Sequence, residues 1–513
     1  MAIKLSGMIS GMDTESMVTE LMKAQNLKKT KIQDKITTTQ WKQEKWNDLN
    51  QKIYAMYTGT LSKMRLQSSF KTKNLTSSDD NAVSATAGTN ASNGIHSIKV
   101  GQLASSQFVT GSQLSKDVNG NPIDLGTKLV DLGLTDGTSN KITITTEKTS
   151  QSLTITDSTT VIDVVNTLKS AGLNASYDAS QKRFFISSKD SGTANAFSIQ
   201  GSGVDMTKLG LDNITYTKDS SGNLTFDNAP NVTLIQPKNA VFKYNDAEMT
   251  SSSNVVTVNG LTLTLKNTTA GYGTSNESSV SLNVKNNVDD VYNTIKAFII
   301  NYNAVLMEMN KDYDAPTSRG YDPLSDDEKE KMTDSQIEKW ESKIKDSLLR
   351  RDDNLRSLTD TMRSSMGQTV QVNGKSYSLA TFGIASANYT EKGLLHINGD
   401  SDDSLVSASE NSLKKALQDD PDTVMNVMNT IAGKMYSDLT DKMKSTTMRS
   451  ALKLYNDKEL SSNLDTYKKD LSNMEKKLDD IQNRYYKQFA AMESAMAKLN
   501  SQSSSFQSML GTK

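Results

Sequence analysis

A chain of 513 residues with 59 acids against 58 bases has no basic field to hold nucleic acid and no long run of one sign to act as a charged tail. Its hydrophobic content of 35 % and aromatic content of 6 % are low for a compact enzyme, and its length predicts roughly two to four domains. With no cysteine, disulfides, thiolate catalysis and cysteine-based zinc sites are all excluded. Residues 1–16 carry one lysine and no long apolar core, so they do not read as a cleavable secretory signal. No apolar run reaches the ~18 residues of a membrane span. Export, if it occurs, must use a route that reads no such signal.

Gly7 and Gly11 make a flexible lead, after which Asp13 or Thr14 caps the first helix. That helix is expected over residues 14–64, with no proline and with Gly59 its single glycine. Its apolar residues cluster early, at Met17, Val18, Leu21 and Met22, and late, at Trp46, Leu49, Ile53, Met56, Tyr57, Leu61 and Met64. Between them, over residues 23–45, the stripe thins to Leu27, Ile32 and Ile36 among lysines, threonines and glutamines. This part is expected to bury little and to be marginal in a lone subunit.

Residues 68–94 turn polar and glycine-containing, and 95–100 then alternate as a half-buried strand. Residues 111–234 read as a nested β-rich unit with strands at 141–145 and 152–156. Inside it, 161–168 suits a short helix capped by Ser158 or Thr159, followed by strands at 172–177 and 183–188. The chain returns at 240–283, where strands 255–258 and 261–265 flank an Asn259-Gly260 turn, and a third strand follows at 279–284. Helices take over at 288, with Val291, Ile295, Phe298, Tyr302, Val305 and Met309 on one face. Ser325 with Glu328, and Thr333 with Gln336, read as capping boxes. Trp340 is expected as a core anchor at a helix junction. A hairpin at 371–377 turns at Asn373-Gly374, and helices resume near Asp402 and after Pro421.

The last stretch carries apolar residues at Leu460, Leu464, Tyr467, Leu471, Met474, Leu478, Ile481 and Tyr485, then Phe489, Met492, Met496, Leu499, Phe506 and Leu510. Steps of four and three alternate, as in the heptad seam of a coiled coil. Two successive fours at Tyr485 and Phe489 form a stutter, and Ser503 is the polar position in the seam. Such a helix runs roughly 75 Å and cannot bury its own stripe. The two chain ends are expected to pair antiparallel, with everything between as an insertion. The residues expected in this assembly seam are Met17, Leu21, Trp46, Leu49 and Ile53 from the first end. From the second they are Leu464, Leu471, Leu478, Ile481, Tyr485, Phe489, Met492, Met496 and Leu499.

Candidate chemistry fails on spacing. His96 and His396 have no close sequence companion for a metal site or a triad, and each reads as a satisfied histidine. Gly374-Lys375-Ser376 has Thr369 where a phosphate loop needs glycine. Asp400-Ser401-Asp402-Asp403 has Leu405 and Asn411 where a calcium loop needs glycine and glutamate. Gly201-Ser202-Gly203 has Met206 in place of the third glycine of a dinucleotide fingerprint, and Asp289-Asp290 is an ordinary helix start. No catalytic residue, cofactor or metal is expected.

Several blocks resemble one family. Ser6-Gly7-Met8-Ile9-Ser10-Gly11-Met12-Asp13-Thr14, Gln102-Leu103-Ala104-Ser105-Ser106-Gln107 and Ala297-Phe298-Ile299-Ile300-Asn301-Tyr302-Asn303 are similar to flagellar filament cap proteins, the hook-associated protein 2 family. So are residues 254–266, 331–334, 338–341, 348–350, Phe489-Ala490-Ala491-Met492-Glu493 and 498–503. The helix, strand, turn, strand order within 158–199 resembles a small repeat of flagellins and hook-associated proteins; the rest of 111–234 has no such likeness.

The resemblance implies an α+β multidomain fold. Long antiparallel terminal helices over 1–66 and 458–513 form a coiled coil, and a helical stem with a β-hairpin covers 287–457. An inner β-rich head takes 67–110 with 235–286, and a nested outer head takes 111–234. The resemblance further implies a homo-oligomeric ring at the filament tip that promotes flagellin folding and polymerisation. Its implied partners are flagellin, its own copies, the hook-filament junction proteins, and the flagellar export apparatus with a chaperone. No nucleic acid and no membrane is expected. The alternative reading is an adhesin whose outer head binds mucin or glycan, and the two roles are compatible in one molecule.

Overall fold

The N-terminal helix starts where Asp13 turns its carboxylate back onto the Ser16 amide at 3.0 Å, satisfying one of the free N–H groups of the first turn. The structure, a computed structural model, describes residues 13–220 and 222–511, so the motif at 6–12 lies outside the described residues. From Thr14 the helix is unbroken to Met56, passes through a π turn at Tyr57–Leu61 and resumes over Ser62–Met64. The π turn has a cause in the sequence. Trp46, Leu49, Ile53 and Met56 step by three and four, whereas the next completely buried side chain, Leu61, lies five residues on. In α geometry a step of five swings a side chain about 140° off the stripe. The wider turn around Gly59 returns Leu61 and Met64 to it.

These residues join a helical core in the unit built from the chain up to Phe70 and from Val288 onward. Its centre is the helix Val288–Tyr313, whose buried face is Val291, Ile295, Phe298, Tyr302, Val305 and Met309. Helices Asp353–Met366, Ser412–Asp419 and Pro421–Lys442 close around it. Pro421 stands in a first turn, where its missing N–H costs no helical bond, and Asp420 accepts from the Thr423 amide at 3.1 Å. A hairpin of Val370–Val372 and Lys375–Tyr377 turns at Asn373-Gly374, both at positive φ, and adds Val370 to the core.

Two expectations change in this unit. Trp340 is half-exposed: its indole N–H donates to the Asp322 carbonyl at 2.9 Å and its ring meets Tyr321 edge-on at 4.6 Å. It pins the loop ahead of its helix and anchors no core. No helix begins near Asp402 either. Residues 400–411 are turns, because Lys296 reaches Asp400 and Asp402 at 2.6 Å each and holds the segment in place; the helix starts at Ser412.

The unit Lys71–Asn287 contains two cores. The inner one lies on a five-stranded antiparallel sheet in the order Lys73–Ser77, Val280–Asn286, Gly94–Gln102, Ala240–Tyr244, Ala247–Ser251. A three-stranded sheet of Val255–Val258, Leu261–Leu265 and Val83–Ala87 shares that core. Strict alternation turns Ala240, Phe242 and Tyr244 inward, and likewise Leu261, Leu263 and Leu265. Glu277 locks the inner head. Its carboxylate lies between Lys243 and Lys99 and accepts the Gly273 amide, and these partners hold its pKa down at about 2.

The outer core combines a sheet of Thr233–Ile235, Phe108–Thr110, Arg183–Ser187 and Asn174–Asp178 with a sheet of Ser150–Thr154, Lys141–Thr146 and Phe197–Ser202. Buried Gln107 bonds both the amide and the carbonyl of Phe197, at 2.8 and 3.0 Å, and so bridges the two sheets. The helix Val161–Ser170 is capped by Thr160, which closes a capping box with Asp163. The expected cap Thr159 is turned away, accepting the Thr156 amide at 2.9 Å.

Two outcomes follow from this packing. Trp46→Ala removes a side chain that is 1 % exposed and stacked on Tyr455 at 5.3 Å. It should destabilise the helical unit by about 4 kcal/mol in denaturant unfolding. Glu277 stabilises the inner head above its ordinary pKa of 4.5, and that contribution is lost as pH falls toward 2. Glu277→Gln should therefore lower the melting temperature at neutral pH, and calorimetry should show the gap to the parent narrowing as pH drops below 4.5.

Candidate assembly surface

The C-terminal helix is one unbroken element, Asp457–Leu510, of 54 residues. It runs antiparallel to the N-terminal helix. Lys29 pairs with Glu475 at 3.0 Å, the Lys35 ammonium lies 5.5 Å from the Tyr467 ring centre, and Gln43 reaches Ser461 at 3.2 Å. Numbers rise along one helix as they fall along the other.

The apolar contact is confined to the two ends of this pairing. At the distal end Val18, Met22 and Leu478 are buried together, with Met474, Ile481, Tyr485, Tyr486 and Phe489 packed around them. Met17 and Leu21, expected in the seam, lie one position away on the helix and are exposed at 42 % and 44 %. The covered pair is Val18 and Met22, because the single face turned to the second helix takes one i, i+4 pair and leaves its neighbour outside. At the proximal end Trp46, Leu49 and Ile53 are buried in the helical core of their own unit. They are covered within the subunit and form no part of a seam open to neighbours.

Between these ends, from residue 23 to 45, no side chain is fully buried. Polar contacts hold the stretch: Lys42 to Asp352 at 2.8 Å, Lys45 to Asp312 at 3.0 Å, and the Lys345 ammonium 4.6 Å from the Trp41 ring centre. Burial pushes the Asp312 carboxyl up, and the Lys45 ammonium offsets only part of that. Each such pair contributes about 0.2–1 kcal/mol where solvent reaches it. Leu464 and Leu471 face this polar stretch and are half-buried.

Beyond Phe489 the stripe opens. The register sets Thr14 opposite about residue 490, so the later part of the C-terminal helix runs past the described start of its partner. Met496 is still half-buried, Met492 is just exposed, and Leu499 and Phe506 are exposed at 63 % and 69 %. An apolar line that is covered at Leu478 therefore continues into solvent on the same helix.

The other candidates resolve differently. His96 is buried between the Ser92 carbonyl at 3.0 Å and the Tyr244 hydroxyl at 2.8 Å, a fully satisfied core imidazole. His396 lies between two carboxylates, Asp403 and Glu391, seven and five residues away, which the spacing alone did not single out. Among the described residues no cluster of three or more potential ligands could hold a metal ion. No described helix is long and apolar enough to cross a membrane.

The family model for the flagellar hook-associated protein 2 C-terminus matches residues 237–501, and that for the N-terminus matches 10–107. Residues 108–236 fall between the two matches. A flagellar hook-associated protein 2 of Halalkalibacterium halodurans is 27 % identical over 566 residues, covering 99 % of this chain and 100 % of that protein. An A-type flagellar hook-associated protein 2 of Pseudomonas aeruginosa is 24 % identical over 97 % of this chain and 95 % of that one. The crystal structure of the flagellar cap protein D1-D2-D3 domains from Escherichia coli matches with a TM-score of 0.57 at 20 % identity, over 80 % of this chain and 98 % of that one. That likeness shows a shared fold.

The polar middle of the helix pair should open first. Amides of residues 23–45 should exchange at least about tenfold faster than those of 46–56 in the isolated subunit. Equal protection of the two stretches would contradict this. Leu478→Ala should loosen the distal end by about 2 kcal/mol and leave the Trp46 core unchanged.

Proposed function

This chain belongs to the flagellar hook-associated protein 2 family, and from that premise we propose that it oligomerises at the tip of the flagellar filament and promotes flagellin folding and polymerisation there. The observation that carries the reading is the apolar line that is covered at Leu478 and exposed at Leu499 and Phe506. An exposed helical stripe of this kind is covered when a second amphipathic helix lies along it. Neighbouring copies and the helical ends of flagellin both supply one. The weakly held stretch 23–45 lets each terminal pair shift as a subunit is added beneath it. The route outward is the flagellar export apparatus with its chaperone, and the hook-filament junction proteins are the first neighbours met.

A second role is favoured by a separate observation on the outer head. Phe108 pairs directly with Ile235, and Phe185 follows one row along on the same sheet; all three are exposed. With Thr110, Ser176 and Ser187 beside them, they make an apolar and hydroxylated platform suited to mucin or glycan.

Two variants separate the readings. Leu499→Asp with Phe506→Asp should abolish filament elongation and self-association, while calorimetry shows both units still folded. Filaments of normal length from that variant would refute the tip role. Deleting residues 108–235, which carry the whole platform, should leave elongation largely intact and remove any adhesion to mucin.

A further inference from the structure

His396 belongs to a two-residue strand, His396–Ile397, paired with Ile384–Ala385. Its Nδ1 bonds Asp403 Oδ2 and its Nε2 bonds Glu391 Oε2 at 3.0 Å. Both carboxylates are at least partly buried, with side-chain exposures of 27 % and 16 %, and the imidazole is exposed at 12 %. A neutral imidazole has one N–H; only the imidazolium has two. Two carboxylate acceptors on the two ring nitrogens therefore require the charged ring. We infer that His396 is a proton-dependent clasp, which when charged ties the turn at Glu391 to the turn at Asp403 and when neutral lets the Glu391 turn go.

The surroundings decide which arm opens. Asp403 is fixed independently: its Oδ1 accepts the Leu405 amide at 3.1 Å, and its backbone carbonyl accepts the amides of Val406 and Ser407 at 3.1 and 2.9 Å. Glu391 closes a single turn of 3-10 helix, Tyr389–Glu391, whose own bond from the Glu391 amide to Asn388 is a long 3.4 Å. When the ring loses a proton, the bond to the independently anchored Asp403 is kept. Glu391 then faces a lone pair and must take water instead. The turn it holds carries Tyr389, exposed at 94 %, so the clasp governs the most exposed aromatic side chain on the helical unit. Lys392 stays tied to Asp314, which makes the opening local to the turn.

The helix Val288–Tyr313 contributes Lys296, which is already bridged to Asp400 and Asp402 and so adds no free cation against the imidazolium. The short strand Ile384–Ala385 brings no charge. Burial works against the charged ring, but Asp403 and Glu391 outweigh it and raise the pKa above the ordinary 6.5. The sign follows. The clasp is complete below pH 6.5 and is lost as pH rises through the higher folded value.

The test uses the full chain, in which His96 is the one other histidine. In a His96→Gln background, proton NMR reads His396 directly, and its midpoint should lie above 6.5. Amide exchange of residues 388–394, corrected for base catalysis, should accelerate as pH passes that midpoint, while residues 403–406 keep a flat profile. His396→Gln should make the corrected exchange of 388–394 independent of pH. Glu391→Gln, which preserves size and fold, should lower the midpoint by about one unit. A midpoint at or below 6.5 would overturn the inference. So would a pH profile for 388–394 that is the same in parent and His396→Gln, or a midpoint unmoved in Glu391→Gln. None of these readouts depends on the filament-tip role, so the two conclusions stand or fall separately.

Discussion

The antiparallel contact between the two chain ends is the constraint from which the rest follows. A 54-residue helix without a break has an apolar stripe it cannot cover, and its first cover is the helix at the other end of the same chain. The cover is uneven. Around Trp46 each large buried side chain is worth several kcal/mol, and around Val18, Met22 and Leu478 about 2 kcal/mol each. In between, the solvent-reached pair from Lys29 contributes about tenths to one kcal/mol, and burial of Asp352 and Asp312 offsets much of what the Lys42 and Lys45 pairs gain. A helix pair pinned at both ends and soft between them keeps its register while its middle breathes. Because helix formation is cooperative, the buried ends sustain a stretch that would be marginal alone.

A second theme is how segments without regular structure are held. Residues 384–411 have almost no ladder of backbone bonds, and cross-links from charged groups replace it. Lys296 bridges Asp400 and Asp402, and His396 bridges Asp403 and Glu391. In the inner head Glu277 does the same for Lys99 and Lys243. The lysine and glutamate bridges keep their charge across all ordinary pH values, since pairing moves each pKa further from neutrality. The imidazole bridge differs because its carboxylate partners raise a pKa whose ordinary value is 6.5, which turns a structural device into a responsive one.

Much of the architecture was legible because it depends on local rules. The four-three spacing after Leu460 named the long helix, and the alternation of Leu261, Leu263 and Leu265 named a strand. Asn259-Gly260 and Asn373-Gly374 announced their hairpins through the one backbone conformation that suits them. Two elements depart from their local pattern. Trp340 has the size of a core residue, but its partners Tyr321 and Asp322 come from a loop with no pattern of its own. Thr160 rather than Thr159 caps its helix because Thr159 has a competing amide to bind.

Periodicity along the chain determined where the helices and strands form, which face of each is apolar, and that the terminal stripe exceeds what its own helix can bury. It could not assign that stripe's neighbours. Met17 and Val18 are equally good stripe residues by sequence, and Trp46 and Leu478 equally good seam residues. Their fates differ because the rotation of one helix against another is set by side chains hundreds of residues away. The same holds for His396, whose two carboxylates converge only because separate turns fold to meet it. Local pattern is a property of the backbone's own geometry, whereas cover, exposure and the charge beside a titrating ring exist only once distant segments share a surface.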